Sequence, residues 1–269
     1  MNRNDFVENF LKQLNKSSYK NFELIVVDQN KDDYLEKILQ KFDFEIKYLK
    51  SSPGLSVARN KGLELINGDI ISFPDDDCEY PTNILSDVKK IFSRNKHDFI
   101  STSSKWHDMK ISNGNFDKYS GKITKYTIWR RAISYTLFFK RNAIKNLKFN
   151  EQLGVGAKSI FQSGEETDFT LRCIKNGNSG FYYHDLHIYH PHTDDSFDNL
   201  KVRLSKYTPG KCYVLLKNNY GIFYIGLYFL SPLLKGLISL LRFNFFNTKL
   251  HFLSSYYRLN GIFQFYAQK

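Results

Sequence analysis

Hydrophobic and polar residues follow two alternating patterns over the first two-thirds of the chain. Apolar residues at helical spacing predict an amphipathic helix over 4–16, and the apolar run that ends at Asp28 is typical of a buried parallel strand. The same criteria predict helices at 34–42, 56–66, 83–94 and 166–175, and strands at 22–28, 45–49, 69–73, 99–102, 133–140 and 181–189. Strands that alternate with helices indicate an α/β fold with a mostly parallel sheet flanked by helices.

The chain changes character near residue 220. Residues 220–234 include no charged side chain and are rich in Phe, Tyr, Leu and Ile. Polar residues then recur on one narrow stripe of a helix, at Ser231, Lys235, Ser239 and Arg242. We therefore expect one domain over 1–198, followed over 199–269 by an amphipathic helical tail that lies in a membrane interface. A membrane-spanning helix and a tail packed on the preceding domain are the alternatives.

Composition and charge narrow the class of protein and the kind of partner. The 269-residue chain is 42% hydrophobic and 25% charged, which is ordinary for a globular protein. Its three cysteines form no CxxC pair, which argues against a disulfide framework or a thiolate zinc site and suits a reducing compartment. The net charge of +12 is concentrated in the tail, since no Asp or Glu follows Asp198 while ten Lys or Arg do. This asymmetry predicts an anionic partner, either nucleic acid or an anionic membrane surface.

Three consecutive carboxylates, Asp75, Asp76 and Asp77, follow the predicted strand at 69–73. Because like charges at this spacing repel one another, we expect a cation to compensate them. The carboxyl end of a parallel strand is also where open α/β sheets bind their ligands. We interpret the turn as a site for a divalent metal ion and substrate phosphates. The alternative is an acidic turn that complements a helix dipole.

Two further residues are candidates for ligand binding at the same edge of the sheet. Asp28 ends its strand, where it is either an acceptor for base or ribose donors of a nucleotide or a turn residue. Arg59 lies early in the helix that leads into the acidic strand. It can reach a nucleotide or form a structural ion pair with an aspartate, and too few glycines surround it for a P-loop.

A second acidic cluster follows the glycine-rich loop at 154–164. Glu165 and Asp168 are three residues apart and share a helix face, whereas Glu166 points elsewhere. One carboxylate can thus be anchored while another faces a cleft as general base for a sugar hydroxyl. Acids that complement the helix dipole are the alternative. Beyond the last predicted strand, His190 and His192 offer imidazoles for a metal ion or a phosphate.

These pieces, in this order, resemble the family 2 glycosyltransferases with the GT-A (glycosyltransferase type A) fold. The matching segments are NFELIVVDQ (21–29), PGLSVARNKG (53–62), DIISFPDDDCEYP (69–81), LGVG (153–156), GEETDFTLR (164–172) and YHPH (189–192). The resemblance implies a nucleotide-sugar donor, a Mn²⁺ or Mg²⁺ ion and inversion at the anomeric carbon. The start of the chain departs from the family pattern, because only Asn2-Arg3 remains of the motif that follows the first strand. We therefore expect that strand, which is internal to the family's sheet, to be missing, either because the start is misassigned or because the protein is truncated and binds its donor poorly.

The resemblance also implies roles for individual residues. Asp28 resembles the aspartate that contacts the nucleobase, and Asp75 and Asp77 resemble the two acids of the DxD motif. Glu166 stands at the position of the catalytic base, which is more commonly Asp in the family. The predicted site therefore comprises Glu166 as the catalytic residue, Asp28, Arg59, Asp75, Asp76, Glu165 and Asp168 as donor-binding residues, and Asp77, His190 and His192 as metal ligands.

The predicted function is metal-dependent transfer of a sugar, in surface polysaccharide synthesis, from a nucleotide-sugar donor to a saccharide or lipid-linked saccharide. A UDP-sugar is the favoured donor. No secretory signal is visible, so we expect a cytoplasmic protein held peripherally on the inner face of the cell membrane. One alternative is an inactive, membrane-bound scaffold with a degenerate transferase domain. The other is a protein that binds nucleic acid through its tail, but the tail's cations are spaced too widely among apolar runs for a hydrated basic patch, so no nucleic-acid partner is expected.

Overall fold

The computed structural model describes residues 4–112, 114–193 and 195–268, so the Asn2-Arg3 motif lies outside the described residues. The chain divides into two compact units. The first comprises Met1–Pro53, Val57–Lys148 and Phe169–Thr193, and the second comprises Gly54–Ser56, Phe149–Asp168 and Asp194–Lys269. Each unit is therefore assembled from segments that are distant in the sequence.

The first unit contains the alternating strands and helices. Its strands are β1 (Glu23–Asp28), β2 (Glu45–Lys50), β3 (Ile70–Ser72), β4 (Phe99–Lys105), β5 (Gly121–Ile123), β6 (Leu137–Lys140) and β7 (Gly180–Tyr189). Its helices are α1 (Asn4–Asn15), α2 (Tyr34–Leu39), α4 (Ile84–Arg94) and α5 (Arg141–Ile144), while α3 (Leu55–Leu63) and α6 (Glu165–Lys175) begin in the second unit. Each strand and helix of the predicted pattern is present, but the strand predicted over 133–140 begins only at Leu137, because Ser134–Thr136 form a 3₁₀ turn. The short elements β5 and α5 were not predicted.

The strands described here form two sheets. β1 and β2 are parallel, with Asp28 opposite Lys50. The other sheet has the order β3-β6-β4-β7-β5, in which β4 and β7 are parallel and the remaining pairs are antiparallel. The α/β fold is thus confirmed, but the sheet is mixed rather than mostly parallel. Within the described residues only short 3₁₀ turns and β5 lie between β4 and β6, and a strand reached without a helical crossover can return antiparallel to its neighbour.

Two apolar clusters hold the first unit together, and α1 contributes to both. Phe10 and Leu14 of α1 join the first cluster, which includes Ile84 and Val88 of α4 and Phe138 of β6. Leu11 of α1 packs with Leu35, Ile38 and Leu39 of α2 in the second cluster, against β1 and β2. These clusters bury the faces that the helical spacing predicts and leave the carboxyl ends of the strands for polar residues.

The second unit contains three long helices, α7 (Phe197–Lys217), α8 (Ile222–Leu241) and α9 (Phe245–Ala267). α9 runs parallel to α7, since Phe246 packs on Phe197 and Phe265 packs on Tyr213. α8 runs antiparallel to α9, because Gly236, late in α8, lies against Phe252, early in α9, while Tyr228, early in α8, contacts Arg258. Among the described residues, α8 is the helix that is long and apolar enough to cross a membrane, and only 11% of its apolar window is buried.

Candidate active site

The turn after β3 places the three aspartates at the carboxyl end of that strand. Phe73 anchors the start of the turn, because its ring packs edge-on against Phe139 and Phe169 at centroid distances of 6.2 and 6.0 Å. The backbone amide of Cys78 donates a hydrogen bond of 3.3 Å to the carbonyl oxygen of Asp75, which closes the turn over the next two aspartates. The acidic residues therefore lie on a constrained, half-buried turn.

Asp75, Asp77 and His190 come together in the first unit. One ligand atom of each lies within 4.8 Å of the other two. Burial raises the pKa of the nearby Cys78 thiol well above its usual value, and the charges of Asp75 and Asp77 raise it further, which indicates a negative potential at the turn. Two carboxylates and an imidazole form a donor set that fits a divalent cation.

His190 is oriented by contacts on both sides of its ring. The side chain is buried and stacks on Tyr135 at 4.8 Å. Its Nδ1 lies 2.8 Å from the carbonyl oxygen of Pro191, and because a carbonyl only accepts, Nδ1 carries the proton and donates. Burial lowers the pKa of His190, but the hydrogen bond and charge of Asp77 outweigh it, so the pKa is raised. A backbone partner on Nδ1 is the arrangement that orients a histidine toward a metal ion.

Arg59 and Ser134 constrain Asp75. The buried guanidinium group of Arg59 has Nη2 3.6 Å from Asp75 Oδ1 and lies 5.8 Å above the ring of Phe73. The hydroxyl of Ser134 donates to the same carboxylate oxygen at 3.4 Å. The structure thus contains the ion pair that was one alternative for Arg59, and a nucleotide contact by Arg59 stays a prediction. No local signal identifies Ser134, since it lies 59 residues from Asp75 in the sequence.

Asp28 lies at the carboxyl end of β1 with its side chain buried. It accepts hydrogen bonds from the amide of Asn30 at 2.8 Å, the hydroxyl of Tyr48 at 2.9 Å and the ammonium group of Lys50 at 3.0 Å. Burial raises the pKa of Asp28, but these hydrogen bonds outweigh it and the pKa is lowered. A carboxylate has about four acceptor positions, so these three hydrogen bonds do not use its full acceptor capacity. The nucleobase contact of Asp28 stays a prediction.

His192 and Asp76 lie outside the triad of Asp75, Asp77 and His190. The Nε2 atom of His192 is 3.2 Å from Oδ1 of Asp108. Asp76 is half-buried in the turn itself. Among the described residues, the group with metal-ligand geometry comprises the two flanking aspartates and His190. The geometry therefore gives no support to the metal-ligand role predicted for His192 or to the donor-binding role predicted for Asp76.

The second acidic cluster begins α6 in the second unit. Glu165 and Asp168 are buried, whereas Glu166 is partly exposed, which agrees with the faces that the spacing predicts. Asp168 forms an ion pair of 3.0 Å with Lys217. Gly154 has a φ of +97° and packs so closely that a Cβ there would lie 3.2 Å from the carboxylate of Glu165. Two of the three acids are therefore held in place, and Glu166 is the one that reaches solvent.

Comparison with known sequences gives one family. The sequence profile described as "Glycosyl transferase family 2" matches residues 1–158. The chain is also 29% identical over 168 residues to the GalNAc(5)-diNAcBac-PP-undecaprenol beta-1,3-glucosyltransferase of Campylobacter jejuni, a match that covers 56% of this chain and 52% of that protein. The chain thus spans about half the length of this relative.

Comparison with solved structures gives the same fold. The mannosyltransferase PcManGT from Pyrobaculum calidifontis, in complex with GDP-Man and Mn²⁺, matches with a TM-score of 0.59 and 13% identity over 98% of this chain and 69% of that chain. TarS 1–349 of S. aureus, in complex with UDP-GlcNAc, matches with a TM-score of 0.54 and 15% identity over 95% of this chain and 88% of that chain. At these identities the likeness establishes the fold alone.

Proposed function

This chain belongs to glycosyl transferase family 2, whose profile matches more than half of it, and we propose that it transfers a sugar from a nucleotide-sugar donor to a saccharide acceptor. The observation that carries this proposal is the triad of Asp75, Asp77 and His190 at the carboxyl end of β3. A sugar leaves its donor together with a diphosphate, whose developing charge must be neutralised. A divalent cation held at the edge of an α/β sheet meets that need.

The triad suits Mn²⁺ better than Mg²⁺. Mg²⁺ prefers oxygen ligands and keeps several waters, whereas an imidazole nitrogen suits transition metals. Mn²⁺ is a transition metal that also binds carboxylates readily. When bound, the ion would neutralise charge on the donor diphosphate. The chain's own contribution is to hold Asp75 against Arg59 and His190 against Tyr135, so that the ligand atoms are in place before the donor arrives.

The donor is a UDP-sugar in this proposal, as the family resemblance implies. Asp28 accepts a hydrogen bond from the nucleobase. Asp75 holds the metal ion together with Asp77 and His190 and, with Asp76, lies on the ribose side of the ion. The support for Asp28 is its position at the carboxyl end of β1 and the acceptor capacity that remains after three hydrogen bonds. Arg59 supports Asp75 and adds positive charge beside the turn.

Glu166 is the proposed catalytic base. Its carboxylate takes the proton of the acceptor hydroxyl, and the hydroxyl oxygen attacks the anomeric carbon as the bond to the diphosphate breaks on the opposite face. The configuration at that carbon is therefore inverted. The supporting observations are the partial exposure of Glu166 and the burial of its neighbours Glu165 and Asp168, which fixes the start of α6. Most of the rate enhancement then comes from positioning and charge stabilisation.

The acceptor is proposed to be a lipid-linked saccharide, and the protein to act from the cytoplasm on the inner face of the membrane. The C. jejuni relative is named for a substrate linked through a diphosphate to undecaprenol. The tail of this chain, residues 199–269, combines apolar helices with ten cations and no acid. That combination is attracted to anionic lipids, where such an acceptor resides.

The test is a donor screen that measures released nucleoside diphosphate, with UDP-, GDP- and dTDP-sugars and Mn²⁺. Titration calorimetry with UDP and Mn²⁺ provides the binding arm. We expect heat of binding with UDP that requires Mn²⁺, and sugar-dependent release of UDP. Absence of binding to every nucleoside diphosphate would contradict the proposal and favour the inactive scaffold. A salt-sensitive shift on DNA or RNA without nucleotide binding would favour the nucleic-acid alternative.

A further inference from the structure

α8 has its apolar side turned outward. Six large apolar residues at alternating spacings of four and three lie on one stripe, and all are more than half exposed: Phe223, Leu227, Leu230, Leu234, Leu237 and Leu241, hereafter the α8 stripe. On the opposite side Pro232 and Gly236 are buried. Ser231, which the sequence places on a polar stripe, accepts a hydrogen bond of 3.2 Å from Arg258 of α9. A helix of a soluble protein shows the reverse arrangement.

α9 has a second exposed stripe, rich in aromatic residues. Phe252, Tyr256, Leu259, Phe263 and Tyr266 recur at spacings of four and three and are between 38% and 69% exposed, hereafter the α9 stripe. Its buried residues include Ser254, Gly261 and Phe265 on the other side of the helix. Aromatic side chains with polar tips are the type that favours the boundary between lipid and water.

α8 and α9 approach each other closely at Gly236. A Cβ on Gly236 would lie 3.1 Å from the ring of Phe252. At the other end of the pair, the guanidinium group of Arg258 lies 3.9 Å from the ring centre of Tyr228 and donates to its carbonyl oxygen. A glycine between two helices, with large apolar residues outside, is an arrangement found for helices in apolar surroundings.

α8 and α9 also carry positive charge and have no acidic residue of their own. Burial, together with the charge of the neighbouring Arg258, lowers the pKa of Lys211 to about 8. Burial likewise lowers the pKa of His251, as do the charges of Lys235 and Arg258. Since no Asp or Glu follows Asp198 in the sequence, α8 and α9 contain cations such as Lys235, Lys249 and Arg258 and no acidic residue. A surface of this kind is complementary to anionic lipid headgroups.

We propose that the α8 and α9 stripes dock on an anionic lipid bilayer, with the helix pair lying in the interface rather than crossing it. Because α9 runs back along α8, a spanning α8 would take α9 with it into the hydrocarbon. α9 contains Lys249, Arg258 and Gln264, which are costly there, and among the described residues only α8 has the composition of a span. The inference rests on the membrane location proposed above and is independent of the transfer chemistry.

The experiment is flotation of the full-length chain with vesicles, in the absence of nucleotide. One set of vesicles is phosphatidylcholine alone, and the other also contains phosphatidylglycerol. We expect binding to the anionic vesicles that weakens as salt rises, and the double variant Leu230→Glu/Leu234→Glu to lower the bound fraction about tenfold or more. The matched control is Tyr119→Glu, an apolar residue of the first unit that is 80% exposed and should bind as the parent does. Because both leucines are exposed, circular dichroism should show both variants folded.

Four outcomes would overturn the inference. The chain stays unbound with both kinds of vesicle, or the leucine variant binds as the parent does. A dimer that the leucine variant dissociates, without a change in vesicle binding, would assign the stripes to a second copy of the chain. Resistance to carbonate extraction would show a spanning helix. Sugar transfer to a soluble acceptor, measured without vesicles, tests the proposed function separately. A protein that transfers sugar but does not bind vesicles would contradict the membrane-docking inference and leave the proposed function intact.

Discussion

His190 Nε2 lies 3.2 Å from Asp77 Oδ1, and this contact ties the segment after β7 to the turn after β3. The two residues are far apart in the sequence, and each has a further partner that limits its freedom. Pro191 holds the Nδ1 of His190, so that Nε2 is directed at the carboxylates of the turn. A metal ion at this position would bind neutral imidazole, so its binding would compete with a proton on Nε2.

The two histidines of the His190-Pro191-His192 segment should differ in metal binding. His190→Ala removes one of three ligands and should weaken Mn²⁺ binding roughly 100-fold, measured by electron paramagnetic resonance in the presence of UDP. His192 is paired with Asp108 instead, so His192→Ala is the matched control and should leave Mn²⁺ affinity near that of the parent. Equal losses in the two variants would contradict the assignment of the triad.

Glu166→Gln should separate catalysis from donor binding. The amide cannot accept the proton of the acceptor hydroxyl, so kcat should fall about 10²–10⁴-fold, while UDP affinity by titration calorimetry stays unchanged. Glu151→Gln is the control, because Glu151 is an exposed glutamate of the same unit with no proposed role. If Glu166→Gln kept its turnover, or lost UDP binding in proportion, Glu166 would not be the base.

Gly164 and Gly177 provide a matched pair for the cost of a side chain. Both have positive φ, +85° and +90°, where a non-glycine residue costs about 1–2 kcal/mol. At Gly164 an added Cβ would also lie 2.9 Å from Cγ2 of Val214, whereas nothing lies within 4 Å at Gly177. Gly164→Ala should therefore lower the free energy of unfolding by about 1–3 kcal/mol more than Gly177→Ala. Urea denaturation measures the difference. Equal losses of stability in the two variants would show that the Val214 side chain can move aside without destabilising the protein.

Asp117 should make stability depend on acid pH. The buried carboxylate accepts hydrogen bonds from Nε of Arg130 at 2.6 Å and Nε of Arg131 at 2.5 Å. Burial raises its pKa, but the two arginines outweigh burial and lower it. Because the folded pKa lies below the unfolded one, the stabilisation is present above the unfolded pKa and is lost as pH falls through the folded pKa.

Asp117→Asn should accordingly lower the free energy of unfolding by about 3 kcal/mol at pH 7, with the difference shrinking toward zero as the pH falls below the folded pKa. Thermal and urea unfolding over a pH series measure it. The control is Asp69→Asn, whose side chain is 95% exposed beside Arg141 and should cost less than about 1 kcal/mol at any pH. If the difference in unfolding free energy between Asp117→Asn and the parent stayed constant across the pH series, the negative charge of Asp117 would not be what stabilises the folded protein.

Local patterns were sufficient for much of the fold and for part of the candidate site. α1 and β1 follow from residue spacing, because a helix or strand buries one face regardless of its partner. Asp75 and Asp77 stand out because adjacent carboxylates require compensation within a few residues. Ser134 and Tyr135 carry no such signal, since their importance comes from the distant residues that they contact. The antiparallel placement of β6 was missed for a related reason, as strand direction depends on the path of the chain between strands.

α8 shows where local information ends. The spacing of its leucines establishes that they share one face, because helical geometry is a property of the segment alone. Which face of α8 is buried depends on residues elsewhere in the chain. Phe252 and Arg258 of α9 contact the side of α8 that contains Gly236 and Ser231, so the leucines remain exposed. Periodicity shows which residues share a helix face. Whether that face is buried or exposed is decided only by packing, because packing depends on contacts between distant segments.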